Sequence, residues 1–291
     1  MEPGLAINVG LPVALVIIML GLGLSLRIED FLQVIAKPRP LIIGLCCQIV
    51  LLPLLCFVLL TVSGLPVSIS VGMMLLAASP AGTTAALYTH LARGDVALSL
   101  AFAAVTSVLA MFSLPIIANL SVAHFLGEQR AVGLQAMQVL QIFAIALVPA
   151  IVGAVIRSRR AELARRLDRP VKLLASLFLA LVIVFALVSH WDLLLKWGPA
   201  IGTTVLIFNV LSLAIGYVVP KMLGVAQPQA VALAMSIGIH NAALVITIAL
   251  SEFMLNDSQM AIPPGLYGVM SYLTCAAFVW LLNRRPVQSS N

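Results

Sequence analysis

Long apolar stretches separated by short polar connections make up nearly the whole chain. A helix of about 20 apolar residues crosses the hydrocarbon core of a bilayer, and lipid favours helices because they satisfy every backbone polar group internally. The pattern therefore predicts an all-α membrane protein with nine transmembrane helices in a single domain, residues 1–291. The predicted spans are residues 5–26, 40–62, 67–92, 96–121, 135–156, 171–189, 198–220, 228–251 and 263–283.

Composition excludes a soluble protein. The 291 residues are 62% hydrophobic and 9% charged, whereas a soluble domain has about a quarter charged residues. The net charge of +6 does not indicate a nucleic-acid partner, because the basic residues lie in short connections rather than on one folded face. The lipid bilayer is the expected partner, and no cofactor or metal-binding motif is present.

The distribution of Lys and Arg between alternate connections predicts the orientation. Fourteen of the sixteen lie in connections one, three, five and seven, at their edges, or after the last span, and only Arg130 and Lys196 lie on the other face. The positive-inside rule then predicts a multi-pass inner-membrane protein with its N-terminus outside and its C-terminus in the cytoplasm. The densest basic segment, residues 157–172, is interpreted as a topology anchor that contacts anionic headgroups.

The third predicted span has residues that disfavour a helix near its centre, in the sequence SPAGTT at residues 79–84. Pro80 lacks an N–H and Gly82 frees the backbone, so we predict that the helix breaks there. A broken helix exposes backbone N–H groups and a positive helix end, which suit an anionic substrate. We predict that the hydroxyls of Thr83 and Thr84 also contact this substrate. The alternative is a simple proline kink packed by small residues.

The eighth predicted span has a similar centre, with Ser236, Gly238, His240 and Asn241 within six residues. We predict a second helix break at Gly238 and substrate contacts from Ser236, His240 and Asn241. A neutral imidazole deep in a membrane can relay protons or donate to a substrate carboxylate. The alternative is that His240 is a structural hydrogen-bonding residue. Gln48 in the second span is a further polar group, and we predict that Gln48 and His240 take part in ion coupling.

The two halves of the chain show a weak repeat. In each half a side-chain amide, Gln48 or Asn209, precedes a broken span by about 31 residues, measured to Pro80 and to His240. Inverted repeats with paired discontinuous helices are a recurring transporter architecture, and the binding site usually lies where the two helices cross.

These segments resemble the bile acid:sodium symporter family. The resemblance is carried by residues 79–83 (SPAGT), residues 88–99 (YTHLARGDVALS) and residues 238–241 (GIHN). It implies a core of residues 40–121 and 198–283 with two crossing broken helices, and a panel of residues 5–26 and 135–189. It also implies sodium coupling, but most matching positions lack suitable side chains.

In the family that this sequence resembles, the cation sites are formed by a Ser-Asn pair after the first break, a Thr in the next helix and a Glu-x-Gly-x-Gln-Asn stretch at the second break. The matching positions here are Ala85, Ala86, Ala103, Ser236 and His240, while Gln48 and Asn241 are retained. Because sodium needs several oxygen ligands, the resemblance implies that one sodium site is lost and the other weakened.

The sequence thus predicts a secondary transporter of a small organic anion that works by alternating access, with proton coupling through His240 and weak or absent sodium coupling. An uncoupled facilitator or exporter and a sodium-dependent organic-anion symporter are alternatives, and a non-transporting structural or regulatory membrane protein is an alternative of another class. An enzyme is not expected, because no motif such as HExxH supplies a catalytic constellation.

Overall fold

The structure, a computed structural model, describes residues 38–82, 84–126, 151–167, 191–250 and 255–284, with separate helical positions within 13–24, 148–149 and 170–188. The described part of the chain is helical, and its one β-bridge joins two single residues. Residues 151–159 and 161–167 are helical, and the helices that form and surround the site are α1 Pro38–Cys46, α2 Leu52–Ser63, α3 Val67–Ala78, α4 Ala85–Leu91, α5 Val96–Leu126, α6 Trp191–Met222, α7 Gln227–Gly238, α8 Ala242–Leu250 and α9 Ile262–Arg284.

Several of these segments are long and apolar enough to cross a membrane. Within the described residues they are Pro38–Ser63, Trp191–Met222 and Ser258–Arg284, and α5 is a fourth if its two halves form one span. The predicted third and eighth spans are each divided into two shorter helices, α3 with α4 and α7 with α8. The first, fifth and sixth predicted spans lie mostly outside the described residues, so the total of nine stays a prediction.

The second predicted span widens into a π-helical turn, Cys47–Leu51, between α1 and α2. The N–H of Leu52 bonds to the carbonyl of Cys47, five residues earlier, and the nearby Pro53 has no N–H to continue a regular α-helical ladder. This turn contains Gln48, whose side chain is buried. The widened turn is therefore the local structure that carries the amide.

The two helix breaks have different local causes. Ser79 is extended because the following Pro80 disfavours helical conformation in the residue before it. In the other break Ile239 is extended, and Asn241 begins the next helix by accepting a hydrogen bond from the N–H of Leu244 at 3.1 Å. One break is thus made by a proline and the other by a β-branched residue followed by an Asn cap.

Two helices differ from their predicted limits. The helix α6 begins at Trp191, seven residues before the predicted span, and continues through Pro199. Pro199 is the ninth residue of this helix, so it removes the N–H that would bond to the carbonyl of Leu195, yet the helix continues past it. The helix α5 runs on to Leu126 and bends by 54° between Ala110 and Phe112. Pro115 removes the hydrogen bond that would reach back to this point of the helix.

Several connections that the distribution of Lys and Arg assigns to the same face of the membrane contact each other in the structure. The guanidinium of Arg39 donates to the carbonyl of Leu223 at 2.7 Å, and the N–H of Asp95 donates to the carbonyl of Pro228 at 2.9 Å. At the opposite end, the hydroxyl of Ser68 donates to the carboxylate of Asp257 at 2.7 Å. Each of these contacts joins connections that the distribution of Lys and Arg assigns to the same face, and the orientation itself stays a prediction.

The helices α3 and α7 form the centre of the described structure. Every residue from Ile69 to Ala78 in α3 and from Ala230 to Gly238 in α7 is buried. Helices that are apolar on all sides are suited to such a position. The surrounding helices expose large apolar side chains, including Val62, Leu120 and Leu273, as expected of surfaces that face lipid.

Candidate functional site

The two helix breaks cross at the middle of the described structure. Ala81 and His240 form an antiparallel bridge, in which the N–H of Gly82 donates to the carbonyl of Ile239 at 2.6 Å and the N–H of Asn241 donates to the carbonyl of Pro80 at 2.9 Å. Backbone groups that lose helical partners at one break are thus satisfied by the other break. We call the described residues 79–82, 84 and 239–241 the crossing.

Gly82 allows the two backbones to approach this closely. A Cβ atom at this position would lie 2.9 Å from the carbonyl oxygen of His240 and 2.9 Å from a methyl group of Ile239. Gly238 has a related role, since a Cβ there would overlap the side chain of Leu213 on α6. The sequence predicts both glycines as helix breakers, and the structure uses both for close packing as well.

His240 and Gln48 meet at the crossing. The Nε2 of Gln48 donates to the carbonyl of Ser79 at 2.8 Å and lies 3.3 Å from Nδ1 of His240, which itself lies 3.4 Å from the Ser79 carbonyl. In the tautomer in which Nδ1 accepts from Gln48, the proton of the neutral imidazole is on Nε2, and in the other tautomer Nδ1 donates to the Ser79 carbonyl. The two residues predicted to couple ions are therefore in direct contact, although 192 positions separate them.

Aromatic rings enclose the imidazole. The ring of Phe208 on α6 stacks on it at a centroid distance of 5.7 Å and an angle of 25°, and the ring of Tyr267 on α9 meets it edge-on at 5.4 Å. Among the described residues, Nε2 of His240 and Oε1 of Gln48 are the buried side-chain N and O atoms without a hydrogen-bond partner. Unpaired buried polar atoms are uncommon, and they point to a ligand or a function.

A second amide occupies the corresponding place in the other half. The Nδ2 of Asn209 donates to the carbonyl of Gly238 at 2.8 Å, and the Oδ1 of Asn209 accepts from the hydroxyl of Thr274. The hydroxyl of Tyr267 also donates to the Gly238 carbonyl at 2.8 Å. Each amide therefore binds the carbonyl that ends the first half of a broken helix, but only that of Asn209 has both its atoms paired.

The remaining predicted contacts lie at differing distances from the crossing. Asn241 belongs to it, and Thr84 is half-buried directly before α4, without a side-chain hydrogen bond that caps this helix. Ser236 lies one turn earlier on α7, fully buried, with its hydroxyl 2.8 Å from that of Ser99 on α5. Thr83 lies outside the described residues.

Three residues at the crossing were missed by the sequence prediction. Phe208 and Tyr267 contact His240, and the hydroxyl of Thr106 on α5 accepts a hydrogen bond from the N–H of Ala81 at 3.3 Å. An aromatic or a threonine within an apolar span is too common to attract notice. The usable signal was the polar amide of Asn209, the residue next to Phe208.

The positions that match the family's cation ligands are apolar in part. Ala85 and Ala103 are buried and present only methyl groups. Among the described residues, no group of three or more His, Cys, Asp and Glu side chains is arranged to hold a metal ion. The polar atoms at the crossing are those of neutral amides, hydroxyls, carbonyls and one imidazole.

A scan of protein families matches residues 12–197 to the model described as the Sodium Bile acid symporter family. A Bacillus subtilis protein, the uncharacterized sodium-dependent transporter YocS, is 27% identical over 258 residues, which is 89% of this chain and 78% of that protein. The match therefore extends well beyond the short motifs of the breaks.

Eukaryotic proteins are also similar. The probable sodium/metabolite cotransporter BASS1 of Arabidopsis thaliana chloroplasts is 25% identical over 241 residues, 83% of this chain and 59% of the plant protein. The human P3 protein is 25% identical over 232 residues, 78% of this chain and 47% of its own. The chain thus spans about half to three fifths of these longer relatives.

Proposed function

Because the chain belongs to the sodium bile acid symporter family, whose members are membrane transporters and not enzymes, we propose that it is a secondary transporter of a small organic anion. The proposal places it in an inner membrane with the N-terminus outside and the C-terminus in the cytoplasm. The observation that carries the proposal is the crossing, where two broken helices meet and two buried polar atoms have no hydrogen-bond partner among the described residues. Discontinuous helices at mid-membrane are where such transporters bind their cargo.

Paired features support an inverted repeat. Three features of one half recur about 160 positions later in the other half. The amides of Gln48 and Asn209 form one such pair. Two others are the left-handed glycines, with φ of 61° at Gly64 and 75° at Gly224, and the left-handed Arg93 and Asn256, with φ of 57° and 44°. Such a repeat suits alternating access, in which the core of residues 40–121 and 198–283 rocks against the panel of residues 5–26 and 135–189.

The proposal couples transport to protons through His240. Alanine methyl groups at positions 85 and 103 cannot bind sodium, whereas the His240 imidazole is the one basic side chain that the structure describes at the crossing and can bind a proton. A proton on Nδ1 would donate to the Ser79 carbonyl, which already lies within 3.4 Å. Substrate contacts are assigned to Thr83, Thr84, Ser236, His240 and Asn241.

A sodium-dependent symporter is the second candidate. Its support is the unpaired Oε1 of Gln48, a neutral oxygen of the kind that binds sodium, and the sodium dependence in the names of YocS and BASS1. The two candidates share the same crossing and differ only in the ion that accompanies the anion.

Transport by purified protein in proteoliposomes tests the proposal. A panel of organic acids is offered at about pH 5.5 and about pH 7.5, with and without sodium, bracketing the ordinary pKa of histidine. We expect uptake of at least one acid, faster at the lower external pH and changed less than about twofold by removal of sodium. Uptake that is abolished without sodium would support the second candidate.

The variant His240→Ala separates the proton mechanism from general loss of structure. We expect it to lose the acceleration by external acid, while His90→Ala, which removes an exposed histidine from α4, retains it. Wild-type rates with an unchanged pH profile in His240→Ala would refute proton coupling through this residue. Absence of uptake for every acid would refute the transport function itself.

A further inference from the structure

The membrane part of this chain contains almost no fixed charge. None of the nine predicted spans contains an Asp or Glu, and the one Lys or Arg within them is Lys172, at the second position of residues 171–189. The ten acidic residues all lie in connections or before the first span: Glu2, Glu29, Asp30, Asp95, Glu128, Glu162, Asp168, Asp192, Glu252 and Asp257. A cargo at mid-membrane therefore meets no carboxylate and no permanent cation.

The side chains described around the crossing agree with this count. Gln48, Asn209 and Asn241 are neutral amides, and Thr106 and Tyr267 carry neutral hydroxyls. His240 supplies at most one positive charge, whichever ion is coupled. The site can therefore orient a charge through hydrogen bonds, but it cannot neutralise two charges of the same sign.

The helix ends at the crossing do not supply a net charge either. In the second break, α7 ends at Gly238 and α8 begins at Ala242, and the first break likewise joins the end of α3 to the start of α4. The end of a helix carries partial negative charge and the start carries partial positive charge. Each break thus brings the two signs together, an arrangement complementary to an ion pair rather than to a single net charge.

Resting on the proposed function, we infer that each transport cycle carries one monovalent organic anion together with one monovalent cation, and is electroneutral. An uncompensated charge in a low-dielectric site is strongly unfavourable, so a loaded site without fixed charges must be neutralised by its own cargo. Two cations with one monoanion, or one cation with a dianion, would leave a net charge that no residue of the predicted spans balances.

The first test compares acids that differ in charge but not in carbon number. The pairs are butyrate and succinate, 3-hydroxybutyrate and malate, and 2-oxobutyrate and oxaloacetate, with 2-methylbenzoate and phthalate as a larger pair. In wild-type proteoliposomes at neutral pH we expect uptake of monoanions and at least about tenfold slower uptake of their divalent partners, as unpaired charge is excluded from the site. Uptake of dianions at equal or higher rates would overturn the inference and leave the transport function intact. If neither monoanions nor dianions were taken up, the result would contradict both the inference and the proposed transport function.

The second test measures charge movement directly. Valinomycin and a potassium gradient impose an inside-negative potential of about 100 mV, and a proton gradient or a sodium gradient is applied separately to identify the cation. One net charge per cycle would change the final accumulation of the transported acid about 50-fold at this potential. We expect a change of less than about twofold, and an approximately 50-fold change would overturn electroneutral transport.

A variant with an added carboxylate tests the role of missing fixed charge. Ser236→Glu places a carboxylate near the crossing, and we expect its accumulation of the monoanion to become dependent on potential, because a second cation can then be accommodated. Ser236→Ala breaks the same hydrogen bond to Ser99 without adding charge. We expect its uptake rate to fall, because Ser236 is a proposed substrate contact, while the accumulation that it retains should stay independent of potential. Potential-dependent accumulation in Ser236→Ala would contradict the inference. If Ser236→Glu fails to fold, the measurements of charge movement on the wild-type protein still test whether transport is electroneutral.

Discussion

At the scale of single residues, glycine and proline have separate tasks at the crossing. Pro80 ends α3 by forcing Ser79 into an extended conformation, whereas Gly82 leaves space for the backbone of the other break. The sequence predicts both residues as helix breakers, because each disfavours a helix. Only the neighbouring carbonyl of His240 shows why position 82 cannot carry a larger side chain.

Replacing Gly82 by alanine should destabilise the protein by roughly 1–3 kcal/mol, because its Cβ would press on backbone atoms that cannot move independently. Gly202→Ala on α6 is the matched control, since its Cβ would make an ordinary contact of 3.6 Å with the flexible side chain of Met270. Thermal unfolding of both purified variants in detergent measures the difference. Equal midpoints for the two variants would argue against a tight crossing.

At the scale of elements, the broken helices are secured by polar groups from their neighbours. The carbonyl that ends α7, at Gly238, accepts hydrogen bonds from Asn209 on α6 and from Tyr267 on α9. A buried carbonyl left without a donor carries its full desolvation cost, whereas loss of one of two donors costs less. Three helices are thus joined through one backbone atom.

This shared carbonyl predicts non-additive mutations. Asn209→Leu and Tyr267→Phe should each cost about 1 kcal/mol, and the double variant should cost about 1–2 kcal/mol more than their sum, because only then is the carbonyl unpaired. A double-mutant cycle from denaturant or thermal unfolding measures this coupling. Strict additivity would show that the two donors act independently of each other.

At the scale of the whole molecule, charge and contact place the connections on two faces. Arg39 with Leu223, and Asp95 with Pro228, link connections on the face that carries most Lys and Arg, while Ser68 with Asp257 links two on the other. The positive-inside rule then predicts which face is cytoplasmic. The orientation can be read from the two ends of one helix, α6.

Cysteines introduced at Asp192 and at Met222, both exposed and at opposite ends of α6, should differ in accessibility. In a background with Cys46, Cys47, Cys56 and Cys275 replaced, a membrane-impermeant maleimide should label Asp192→Cys in intact cells. It should label Met222→Cys only after the membrane is opened. The reverse pattern would invert the predicted topology.

Much of the architecture follows from local physical chemistry and could be predicted. The spans of residues 40–62, 67–92, 228–251 and 263–283 agree with helices to within a few residues, because apolar length and helix-breaking residues act locally. The family could also be recognised from short motifs around the breaks, and the match over residues 12–197 confirms it. The total of nine spans, the repeat and the roles of the site residues stay predictions.

By itself, the sequence determined that this is a membrane protein, where two of its helices break, and that its membrane spans are nearly free of charge. Only the tertiary structure decided which atoms meet: that Gln48 reaches His240 from 192 positions away, and that Phe208 and Tyr267 enclose the imidazole. The physical reason is the distance along the chain over which each interaction acts. Hydrophobic length and proline sterics act within a few residues of the chain, whereas hydrogen bonds at a crossing join segments that only packing brings together.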